Sequence, residues 1–67
     1  GDNPLLIDYG KITKSGSLVT NSFNVAIPKD DFMVCASSKV QKGDRVLVVW
    51  IQEDPVVIDS LKPGDEI

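Results

Sequence analysis

Six consecutive apolar residues, Val46-Leu47-Val48-Val49-Trp50-Ile51, stand between a Gly43-Asp44 turn signal and the turn formers Glu53-Asp54-Pro55. A strand with one wet face alternates apolar and polar residues, and this run does not. It is short for a helix and rich in β-branched side chains, so residues 45–52 are expected to form a strand. A strand apolar on both faces lies at the centre of its sheet, or is covered on its second side by another element or another subunit.

The rest of the chain follows the same grammar. Apolar residues do not sustain the i, i+3, i+4, i+7 spacing of a helix, while turn formers recur at short, even intervals. A first strand is expected over 5–14, with Leu6, Asp8, Gly10, Ile12 and Lys14 on one face and Leu5, Ile7, Tyr9, Lys11 and Thr13 on the other. Gly10 marks a bulge or bend within it. Ser15-Gly16-Ser17 turns the chain into a second strand over 18–27. That stretch has the cleanest alternation, placing Val19, Asn21, Phe23, Val25 and Ile27 opposite Leu18, Thr20, Ser22, Asn24 and Ala26. Pro28 ends it, and Lys29-Asp30-Asp31 forms a polar corner before a third apolar segment over 32–36. After the polar connector 37–42, the strand 45–52 and the run Val56-Val57-Ile58 form a hairpin closed by Lys62-Pro63-Gly64. The expected fold is all-β: a small five-stranded, partly open barrel, OB-like or SH3-like, in one domain spanning 1–67. Residues 1–4 are expected to be a flexible N-terminus or a cloning remnant.

Gly43-Asp44-Arg45-Val46 has an echo in Gly64-Asp65-Glu66-Ile67. In each, a glycine able to take positive φ precedes an Asp that can bond nearby backbone N–H groups, and an apolar residue follows. Gly43, Asp44, Gly64 and Asp65 are therefore expected to be structural turn residues. A further strand beginning at Ile67, completed by later residues or by a partner, is the sharper expectation.

Composition limits the chemistry. With 67 residues the core must be thin, since a chain this short hides only about 60% of its unfolded surface. Cys35 is the single cysteine, so no bridge closes within the chain, and with no histidine present it reads as a small core residue suited to a reducing compartment. Asp30-Asp31 and Glu53-Asp54 could hold a cation or exchange protons, but both sit at turn signals where solvated carboxylates are common. Neither a phosphate loop nor a nucleophile elbow occurs, and no histidine can activate a serine. The expectation is a protein with no catalytic site, no cofactor and no metal. A net charge of −3, with the charges interspersed, repels phosphate and argues against nucleic acid. Neither a membrane-spanning run of about 20 apolar residues nor a signal-peptide pattern is expected.

Two functional handles remain. Tyr9, Phe23, Phe32 and Trp50 fall one to each of the first four strands, as core fillers or, for Tyr9, Phe23 and Phe32, as stacking platforms for a peptide or single-stranded nucleic acid. Alternatively, strands too apolar for so small a domain mark a protein interface, expected at Val46, Val48, Trp50, Val56 and Ile58.

The run Lys42-Gly43-Asp44-Arg45-Val46-Leu47-Val48-Val49-Trp50, followed by Asp54-Pro55-Val56-Val57-Ile58-Asp59-Ser60-Leu61, resembles the C-terminal half of a family of small phage and prophage tail proteins. The resemblance implies an OB-like barrel serving as a structural component of a tail hub or baseplate. Its partners would be other tail or baseplate proteins, or further copies of the chain. It would reside in the bacterial cytoplasm during assembly and afterwards in the virion tail or a prophage-derived particle.

Overall fold

A computed structural model describes residues 5–67; the expectation for residues 1–4 lies outside the described residues. Five strands, β1 (Leu5–Ile12), β2 (Leu18–Thr20), β3 (Met33–Val34), β4 (Arg45–Ile51) and β5 (Asp54–Leu61), form one sheet in the order β2-β1-β4-β5-β3. Single-turn 3₁₀ segments occupy Lys29–Asp31 and Gly64–Glu66. The fold is all-β, a half-barrel whose sheet is antiparallel except where β3 runs parallel to β5. It is left open between β2 and β3, the partly open architecture anticipated from the sequence.

The apolar hexad takes the central place expected of it. β4 pairs with β1 from Leu5↔Ile51 to Lys11↔Arg45, and with β5 from Arg45↔Leu61 to Ile51↔Asp54. The hairpin between β4 and β5 turns at Gln52, which takes a left-handed φ of 58°. Opposite Leu47/Val48 the β5 register slips: Leu47 faces Asp59 and Val48 faces Val57, so Ile58 is an extra residue. Such a bulge sharpens the local twist and helps a short sheet curl.

The curl encloses one small core. Ile12, Leu18, Ile27, Val46, Val48 and Val57 are buried together, and Phe32, Val40 and Trp50 pack against them. Each of the buried side chains contributes about 1.5–3 kcal/mol by leaving water. Gly10 sits where β1 passes closest to this cluster. A Cβ there would lie 2.9 Å from the Val19 carbonyl oxygen and 3.1 Å from Val48 Cγ2. Gly10 keeps regular register with Thr20 and Val46, so its role is close approach rather than the expected bulge or bend.

The turns explain how the strands enter. Gly16, at φ 90°, closes the 13–17 loop, where Thr13 Oγ1 accepts from the Ser17 N–H at 3.0 Å. Gly43 adopts φ 91° and donates its N–H to the Ile12 carbonyl at 2.8 Å, while the Asp44 carboxylate accepts from the Gln41 N–H at 2.9 Å. The echo at Gly64-Asp65 differs. Gly64 does not adopt positive φ, Gly64–Glu66 is a 3₁₀ turn, and Ile67 lies outside the sheet.

The expected second strand is shorter and inverted. Only Leu18–Thr20 is a strand; the chain then loops and returns so that Leu18 bridges Ile27. Leu18 and Thr20 face inward, and Val19 is on the other side. Local polar bonds win over the alternation. Thr20 Oγ1 accepts from the Phe23 N–H at 3.1 Å and donates to the Phe23 carbonyl at 3.3 Å, and the Ser22 N–H is taken by the Asp8 carboxylate. The third segment is likewise curtailed to Met33–Val34, extended only by the Cys35 N–H donating to the Val57 carbonyl at 2.9 Å. Cys35, expected to be a core residue, is half-buried and lies outside the core cluster.

Candidate functional site

The sheet has two faces of opposite character, and the positions expected at an interface divide between them. Val46 and Val48 are wholly buried, so neither is available to a partner. The strand is apolar on both sides because it is central, and its even-numbered side chains are spent on the core. Trp50 is half-buried against that core, and Val56 and Ile58 are half-buried in β5.

The outer face carries the most exposed apolar side chains of the strands. Ile7 stands opposite Val49, Val49 opposite Val56, and Val56 opposite Met33, giving one row that crosses β1, β4, β5 and β3. Its ends are the most open, Ile7 at 67% and Met33 at 69% exposure. Tyr9 and Ile51 lie on the same side, also more than half exposed. Composition alone hid this pattern, because the odd-numbered residues had to be separated from the even-numbered ones by knowing which set faces inward. That parity was written in β1 all the same, where Gly10 and Ile12 share the inner face.

On the concave side, a cleft of about 550 Å³ opens at the end of the barrel, lined by Leu6, Phe23, Ile27, Trp50 and Pro55, with Asp31, Gln52 and Glu53 around it. The β4 end supplies Trp50, the loop after β2 supplies Phe23, and their rings meet edge-to-face at 6.3 Å and 75°. Beneath them lies Asp8, buried with 9% exposure. Its carboxylate accepts from Trp50 Nε1 at 3.1 Å, from the Ser22 N–H at 3.1 Å, from the Tyr9 N–H at 2.9 Å and from the Ser22 hydroxyl. Burial pushes the Asp8 pKa up, but the bonds from Ser22, Trp50 and Tyr9 stabilise the charge more, and the net shift is downward. Asp8 thus ties β1, the 21–26 loop and β4 together. Its signal in the sequence was an acidic residue on the face shared with Ile12.

The aromatics expected to stack bases do not share a surface. Tyr9 is on the outer face, Phe32 packs on the core, and Phe23 lines the concave cleft. A shallow depression on β1 and β2 does place Tyr9 beside Lys11 and Arg45, which stand directly opposite each other. Among the described residues no three His, Cys, Asp or Glu side chains come together to hold a metal ion, and no helix is long and apolar enough to cross a membrane. Comparison with protein-family models, with curated proteins and with solved structures returns no match.

Proposed function

We propose that the protein is a non-enzymatic structural module that docks its outer sheet face on partner proteins, in the setting of a phage or prophage tail or baseplate. The docking part rests on one observation: the apolar row Ile7, Val49, Val56 and Met33, open at both ends on a face the domain does not cover. Water against such a row is unfavourable, and a partner surface removes it. The tail or baseplate setting rests on the resemblance carried by residues 42–61.

Light scattering after size exclusion, combined with co-purification against the products of neighbouring genes, tests this reading. Self-association or a neighbour complex, abolished by Ile7→Lys with Met33→Lys, is expected. A strict monomer at high concentration that binds no neighbour overturns it.

A second reading, a module for single-stranded nucleic acid, is favoured by Lys11 and Arg45 facing each other beside Tyr9. Titration with labelled oligonucleotide at low salt separates the two, because this reading requires binding that weakens steeply as salt rises.

A further inference from the structure

The concave cleft differs from the outer face in place and in chemistry. Its walls are apolar and aromatic, its lining includes the carboxylate residues Asp31 and Glu53, and no lysine or arginine lines it. Asp31 belongs to the 3₁₀ turn Lys29–Asp31 and Glu53 to the turn between β4 and β5, so two separate loops bring negative charge to one opening. Both residues are exposed.

Trp50 adds a third contribution. Its indole N–H donates to the ionised Asp8, and a hydrogen bond to an anion pushes electron density back into the ring. An electron-rich indole is the strongest of the side-chain faces for a cation. Leu6, half exposed, extends the apolar wall past the aromatic pair, over a floor of the buried Ile27 and Pro55.

We propose that this cleft receives an arginine side chain from an extended segment of a partner protein, with an apolar neighbour of that arginine lying on Leu6. Charge complementarity decides the occupant. A purely apolar ligand would leave Asp31 and Glu53 idle, and an anionic one would be repelled by them and by Asp8. Arginine suits the site better than lysine because its planar guanidinium lies flat on a ring while its edge bonds carboxylates, and it sheds water more easily. The proposal is independent of outer-face docking, since it uses other residues on the other side of the sheet.

Trp50 is the only tryptophan, so its emission reports this cleft alone. The full chain is titrated with acetyl-Val-Arg-Val-amide and with the same peptide carrying lysine or neutral citrulline, by fluorescence and by isothermal calorimetry in parallel. Saturable binding of the arginine peptide is expected, weakened about 1.4- to 5-fold by citrulline, the range set by an exposed charge pair. Asp31→Asn with Glu53→Gln should produce a similar loss with an unchanged unfolding midpoint, and Ile7→Lys with Met33→Lys should leave binding intact. Equal affinity for the citrulline peptide, tighter binding of a lysine peptide, undiminished binding by the Asp31→Asn and Glu53→Gln variant, or no saturable signal at millimolar peptide would each overturn the proposal.

Discussion

The inner and outer faces of β4 are built from neighbouring residues of one apolar run, yet they have opposite fates. Val46 and Val48 are sealed between β1, β2 and β5, whereas Ile51 is half exposed and Val49 lies in an apolar row whose ends are open. Hydrophobicity is the same on both sides of the strand. Curvature makes the difference, because a sheet of this length can wrap only one of its faces. The inner face accounts for stability, and the outer face stays open to water.

The sharpest way to break that distinction is to remove volume inside. Leu18→Ala should cost about 3 kcal/mol in urea or thermal unfolding, within the range for cavity-forming core changes, because Leu18 is fully buried. A loss below 1 kcal/mol, comparable to that of Ile7→Ala, would mean that the two faces are energetically alike.

Adding volume inside comes next. Gly10→Val should cost about 2 kcal/mol, since its Cβ already meets the Val19 carbonyl oxygen at 2.9 Å and its methyls must displace Leu18 and Val48. Unchanged stability would show that β1 can move away from the core.

Polar interior chemistry is the third test. Asp8→Asn replaces one of the accepting oxygens with a donor facing the N–H groups of Ser22, Tyr9 and Trp50, and should cost about 1–3 kcal/mol. Because the folded pKa lies below the ordinary 3.8, the unfolded chain takes up the Asp8 proton first as pH falls. Stability from this group is therefore complete above pH 3.8 and is lost as pH drops through the lowered folded value. Acid titration of the unfolding free energy should show that loss in the wild type and a shallower one in Asp8→Asn; parallel curves would contradict it.

The smallest effect on stability belongs to the outer face. Ile7→Lys with Met33→Lys should change the unfolding free energy by no more than about 0.5 kcal/mol per site while eliminating association. A large destabilisation would reveal that the outer row is structural after all.

Much of this architecture is legible in the residues. The central strand, its hairpin partner, the Gly43-Asp44 entry and the all-β class follow from local pattern, because turns and β-branched runs are short-range signals. The 18–27 stretch misleads for a physical reason. Its alternation is real, but Thr20, Ser22 and the distant Asp8 supply side-chain bonds that satisfy the backbone better as a loop, and one of those partners is 14 residues away. The parallel pairing of Met33–Val34 with β5 is equally silent, since nothing local to those two residues specifies a partner so distant. Val46 and Val48, expected at an interface, are buried in the core, because apolarity is visible in a sequence and orientation is not.

The two outermost strands of the sheet contain only three and two residues, Leu18–Thr20 and Met33–Val34. Neither is long enough by itself to template a foreign strand, and past their ends β1 and β5 each run on with one main-chain edge that no strand covers. A partner docked on the apolar outer row, as proposed above, would be recognised through side chains. Recognition of that kind is selective and can be retuned by one substitution at a time, whereas strand addition through backbone bonds accepts many sequences.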